Sequence, residues 1–101
     1  MNAPASPQPE KDFVRDLLIV NKRGLHARAS ARFVKCVEPF DAEVEVAKDG
    51  QSVGGNSIMG LLMLAASPGC SIRVTTRGAE AEDAMVAIVD LVETGFGEEC
   101  C

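Results

Sequence analysis

Tryptophan and tyrosine are absent from this chain, and histidine occurs once. The four phenylalanines are its only aromatics, so it has little with which to stack on nucleobases. The net charge of −5 argues in the same direction, and no nucleic-acid partner is expected. Long apolar runs are also missing. None is longer than the six residues of Leu61 to Ala66, far short of the roughly 20 that a membrane-spanning helix needs, so no membrane insertion is expected. Cysteine occurs at 36, 70, 100 and 101 without any CxxC pair. With one histidine as the sole imidazole co-ligand, no metal site and no cofactor are expected. The opening residues show no basic start followed by an apolar block, so no export signal is read there. A cytoplasmic location with free thiols follows, although disulfides stay open on sequence alone.

The charge that is present is unevenly placed. From Leu17 to Val37 there is no acidic residue, while Lys22, Arg23, Arg28, Arg32 and Lys35 supply half of the ten basic ones. From Gly78 onward there are seven acidic residues and no basic one. A positive pole on an acidic protein is either a solvated helix face or a field that steers an acidic partner or a phosphate.

At 101 residues the chain makes one small domain. Residues 1–12 hold Pro4, Pro7 and Pro9 among small polar residues and read as a flexible tail. Phe13 to Val20 reads as a strand. Ala27 to Glu38 reads as a helix with Ala29, Phe33 and Val37 on one face, ended by Pro39. Ala42 to Lys48 alternates as a half-buried strand, Asp49-Gly50 makes a tight turn, and Gln51 to Val53 returns. A second helix runs from Ser57 or Ile58 to about Ala66, capped by Asn56 or Ser57 and stopped by Pro68-Gly69. It is apolar almost all round, which means a helix sunk in the core or one that offers an apolar face to a partner. Ser71 to Thr76 alternates again, and Ala79 to Thr94 closes the chain as a helix ended by Gly95 and Gly97. The domain is then 13–95, with a tail from 96 to 101. The order β-α-β-β-α-β-α implies an α+β two-layer sandwich, open to water on one sheet face.

The only histidine sits at the most informative junction. Lys22-Arg23-Gly24 turns out of the first strand and His26 opens the first helix, with Arg28 two places on. Helix N-termini present unpaired N–H groups and a partial positive charge. His26 is therefore either a structural cap or a phosphate carrier.

Three segments together resemble HPr, the histidine-containing phosphocarrier family of the bacterial phosphoenolpyruvate:sugar phosphotransferase system. Gly24-Leu25-His26-Ala27-Arg28 is similar to its active-site signature, Asn56-Ser57-Ile58-Met59-Gly60 to its regulatory-serine signature, and the element order to its fold. Ala29 stands where the family commonly has proline. The resemblance implies an open-faced sandwich with a four-stranded antiparallel sheet and three helices on one face. It implies that the protein is not an enzyme but a phosphoryl carrier. Nδ1 of His26 would take phosphate from enzyme I and pass it to a histidine of an enzyme IIA protein, with Arg28 pairing the phosphate oxygens. Ser57 would be a target of HPr kinase/phosphorylase or a plain N-cap. Ala27, Arg32, Lys35, Ile58, Met59 and Leu62 would form the docking surface, and a monomer is expected. A mainly regulatory role in a nitrogen-type branch is the alternative. A cysteine or metal enzyme has no support, since the one histidine lacks the partners such chemistry requires.

Overall fold

The computed structural model describes residues 12–97. The proline-bearing stretch before them and the cysteine-bearing stretch after them, both read as tails, lie outside the described residues. Seven elements follow in order: β1 (Phe13–Leu18), α1 (Ala27–Val37), β2 (Glu43–Lys48), β3 (Gln51–Gly54), α2 (Ile58–Met63), β4 (Ser71–Arg77) and α3 (Ala81–Glu93). The strands form one antiparallel sheet in the order β1-β4-β2-β3. The architecture is the α+β open sandwich expected.

Side-chain alternation decides which sheet face is covered. Leu17, Val46, Ile72, Val74 and Thr76 are buried on the helix side, with Phe33, Ile88 and Val92 packed over them. On the other face Arg73 pairs with Asp16 at 2.9 Å, and Arg77 reaches Asp12 at 3.4 Å and both Glu43 and Glu45 at 3.8 Å. Charges on that face stay in water, so these pairs add little stability each. Thr76 escapes the penalty of a buried hydroxyl by donating to the Ala81 carbonyl at 2.8 Å. Asp49 and Gly50 take φ values of 52° and 81°, the primed turn their sequence implies.

Most boundaries fall within one residue of the sequence reading, and three differ by two or more. β1 ends at Leu18 rather than Val20, because the chain there leaves the strand and exchanges backbone bonds with the loop before β4: Ile19 N–H donates to Cys70 O and Gly69 N–H to Ile19 O. α2 stops at Met63 rather than Ala66. Leu64 and Ala66 are both buried, and the chain seats them on the core by passing Ala65 through φ 53°. α3 begins at Ala81 rather than Ala79. One placement also changes. Phe96, assigned by its acidic neighbourhood to the tail beyond 95, is fully buried in the core. Gly95, Phe96 and Gly97 have φ values of 67°, 58° and 72°, a left-handed turn that folds the ring back under α1 and α3.

Candidate functional site

The turn into α1 is built by close approach. Gly24 has φ +65°, a region costly for residues with a side chain. A Cβ there would also run into the Ala66 carbonyl oxygen and lie 2.9 Å from the Ser67 Cα. Glycine alone lets the two loops touch, and the contact is then used: Leu25 N–H donates to Ala66 O at 2.9 Å. Buried Asn21 closes the turn from below, its side-chain amide donating to Gly24 O at 2.9 Å. His26 N–H donates to the same carbonyl at 2.9 Å.

These bonds leave His26 extended, at φ −79° and ψ −176°, as the N-cap of α1. Its Nδ1 accepts from the Arg28 backbone N–H at 3.3 Å. An accepting Nδ1 carries no proton, so the neutral ring holds its proton on Nε2. The nitrogen with the free electron pair thus faces the start of the helix. At 3.3 Å the bond is long, and the ring is only partly buried. α1 has no acidic residue in its first turn. Lys22, Arg23, Ala27 and Arg28 are exposed beside it, and Lys35 is exposed in the last turn of the helix. An imidazole nitrogen so placed can attack an electrophile and give it up again, and negative charge added there meets the helix dipole.

The other expected residues divide. Ser57 is the N-cap of α2, accepting from Gly60 N–H at 3.0 Å. Gly60, the interruption in an otherwise apolar segment, is there for room: a Cβ would sit 2.9 Å from the Val53 Cβ. α2 divides between core and solvent. Leu61 is fully buried, whereas Ile58 is 40% and Met59 68% exposed. Leu62 is half-buried; Met63, which the sequence reading left out, is 64% exposed. Met59 and Met63 are four apart and share a face, which was the available signal. Arg32 is exposed, but its guanidinium donates to the Phe96 carbonyl across 64 residues of sequence. No local pattern reveals that tie.

Among the described residues no group of three or more His, Cys, Asp or Glu side chains gathers as a metal site, and no helix is long and apolar enough to cross a membrane. Cys36 and Cys70 are free thiols. Hydrogen bonds from Ser67 hold the Cys70 thiol below its ordinary pKa, and burial pushes that of Cys36 up.

A lone imidazole on a helix N-terminus fits several chemistries; the comparison with known proteins decides among them. Residues 13–94 match the family model described as the PTS HPr component phosphorylation site. The chain belongs to the HPr family. The phosphocarrier protein HPr of Neisseria meningitidis is 50% identical over 80 residues, which cover 79% of this chain and 90% of that protein. The phosphocarrier protein NPr of Escherichia coli is 38% identical over 82 residues, 80% of this chain and 91% of that one. Among solved structures, HPr of Thermoanaerobacter tengcongensis superposes with a TM-score of 0.83 at 40% identity, covering 86% of this chain and 98% of that one. As an HPr the protein is a phosphocarrier of the phosphotransferase system, not an enzyme, and its family interacts with enzyme I and enzyme IIA.

Proposed function

We propose that this HPr carries a phosphoryl group on Nδ1 of His26, as a monomer in the cytoplasm. The observation that carries this reading is the bond from the Arg28 N–H to Nδ1 at 3.3 Å. The same nitrogen that must attack phosphorus is the one aimed at the helix start. As the bond between phosphorus and the enzyme I donor breaks, one forms to Nδ1, and the incoming oxygens displace the imidazole from the helix N–H groups. A helix terminus contributes about 0.3–1 kcal/mol to an anion at an exposed site. The Arg28 guanidinium adds a charge-assisted bond of about 1.5–3 kcal/mol. That is enough to orient the group and small enough to release it to the histidine of an enzyme IIA protein. Ile58, Met59 and Leu62, with Ala27, supply an apolar landing for either partner, and Arg32 and Lys35 its basic border.

The test is incubation with phosphoenolpyruvate and enzyme I, read by intact mass. An acid-labile phosphoryl group on the wild type and none on His26→Ala is the expected result. A folded wild type that takes up no phosphate removes the reading.

Ser57 is the second modification site, acted on by HPr kinase/phosphorylase. A phosphoserine adds about −1.5 to −2 charges beside the apolar landing. Ser57→Asp keeps an N-cap acceptor, so the fold persists while transfer to His26 slows. Transfer at the wild-type rate would end this part of the proposal. The likeness to NPr supports a second reading, in which the nitrogen-type branch is served and the phosphorylation state is read by binding partners. Parallel transfer assays with sugar-type and nitrogen-type enzyme IIA separate the two by which acceptor is phosphorylated faster.

A further inference from the structure

Among the described residues three polar side chains are fully buried: Asn21, Ser30 and Thr76. A buried amide or hydroxyl is costly unless it is bonded, so the use made of each is informative. Thr76 serves the fold, tying β4 to the start of α3 through the Ala81 carbonyl. The other two converge on His26. Asn21 grips Gly24 at both ends: its Nδ2 donates to Gly24 O at 2.9 Å, and its backbone carbonyl accepts the Gly24 N–H at 3.2 Å. Ser30 grips both sides of His26. Its N–H donates to His26 O at 2.8 Å, and its Oγ donates to Leu25 O at 3.3 Å. A helical serine that bonds backward usually meets the carbonyl three or four residues back. This one reaches five back, to a residue outside α1.

The peptide unit between Gly24 and Leu25 is held at its carbonyl by Asn21 and at its N–H by Ala66 O. The unit between Leu25 and His26 is held at its carbonyl by Ser30 and at its N–H by Gly24 O. The unit after His26 is held by Ser30 again. Both backbone torsions of His26 are fixed in this way, and only rotation of its side chain is left to the ring. The ring's own bond from Arg28 N–H is long, at 3.3 Å, and ends once phosphorus takes the Nδ1 electron pair. The Asn21 and Ser30 bonds touch no ring atom, so they serve the free and the phosphorylated states alike. We propose that Asn21 and Ser30 are positioning residues for phosphoryl transfer, a buried clamp that holds the backbone on both sides of His26 so that Nδ1 stands in line with phosphorus. This role rests on the carrier reading of His26. Misplacing a reacting atom by about 1 Å slows a step by about 100-fold, so loss of one grip of two corresponds to roughly tenfold. A clamp acts on the transition state shared by uptake and release, so both slow together and the equilibrium with each partner stays where it was. A residue that bound the phosphoryl group itself would shift that equilibrium.

The experiment compares the full-length wild type with Ser30→Ala, Asn21→Ala and Thr76→Val. Each is mixed with rising concentrations of phosphorylated enzyme I in a rapid-quench apparatus, and the phosphorylated form is then mixed with enzyme IIA. Melting temperatures are taken alongside. Ser30→Ala puts the best helix former into α1, so this variant folds and decides the matter even if Asn21→Ala does not. The expected result is transfer slowed roughly tenfold at saturating enzyme I, with the half-saturating concentration unchanged, and release to enzyme IIA slowed by the same factor. Thr76→Val, which loses a buried hydroxyl away from the site, melts lower and transfers at the wild-type rate. A wild type that takes up phosphate while Ser30→Ala keeps pace with it overturns the clamp alone. So does a loss that appears only as weaker saturation, or one that Thr76→Val shares. A folded wild type that takes up no phosphate removes the carrier reading and the clamp with it.

Discussion

α1 and α2 begin with the same backbone device and different atoms. Each starts after an extended residue whose side chain accepts a backbone N–H from the first turn. In α1 the acceptor is an imidazole nitrogen at 3.3 Å, reaching two residues on. In α2 it is a hydroxyl oxygen at 3.0 Å, reaching three residues on. The eleven residues of α1 are held by a deep face of Ala29, Phe33 and Val37, so the helix leans less on its cap. The six residues of α2 are too few to be stable by themselves, and only Leu61 is buried within them. Its cap and the contact of Gly60 with Val53 do the holding. The weaker cap is thus on the helix that can better spare it.

That contrast can be tested from the larger effects to the smaller. Gly24→Ala attacks the geometry that sets up the imidazole cap. It forces a side chain into a left-handed conformation and against the Ala66 carbonyl, and a loss of about 3 kcal/mol in urea unfolding is expected. A near-neutral result would mean that the loops do not need to touch. Ser57→Ala removes the cap that α2 depends on and should lower stability by about 1 kcal/mol. His26→Ala, measured alongside, should lower it by at most about 0.5 kcal/mol, the low end for a lost cap. If the histidine variant proves the less stable of the two, the comparison fails. Ala65→Gly relaxes the positive φ that ends α2. Relief of about 1–2 kcal/mol of strain exceeds the roughly 0.5–1 kcal/mol of backbone entropy that glycine adds, so a small gain is expected.

The smallest effect lies on the opposite sheet face and serves as a control for both helices. The Arg73 guanidinium, bonded to Asp16 at 2.9 Å, holds its carboxyl below the usual range. A carboxylate depressed in the folded state stabilises above its unfolded pKa of about 3.9 and loses that contribution as pH falls through the folded value. Arg73→Ala should therefore be slightly destabilising at pH 7 and indistinguishable from wild type once Asp16 is protonated. Asp16 should titrate at a higher pH in the variant, as read by carbon-detected NMR.

Local chemistry carried most of the fold and the centre of the site into view. Period-two alternation placed β2 and β4, Asp49-Gly50 named its own turn, and Gly24-Leu25-His26 announced both a turn and a helix start. The features that stayed hidden depend on distant partners. α2 ends where Leu64 and Ala66 find the core, not where its run of helix formers ends. Phe96 sits among glycines and acids that signal a tail, yet its ring has a place under α1 and α3. Arg32 looks like one more charge on a basic face until the Phe96 carbonyl arrives from 64 residues away. Gly24 reads as a turn glycine, and only the neighbouring loop shows that it is also a gap.

The sheet order has a consequence for how the protein is made. β4 lies between β1 and β2, so Phe13 pairs with Thr76 and Val46 with Val74. A growing chain that has not yet supplied residues 71–77 has only the β2-β3 hairpin as paired sheet. The histidine turn waits as well, since its brace is the carbonyl of Ala66. The His26 imidazole thus emerges early from the ribosome but acquires its orientation only when the second half of the domain has followed. A partially synthesised chain carries the residue without the device.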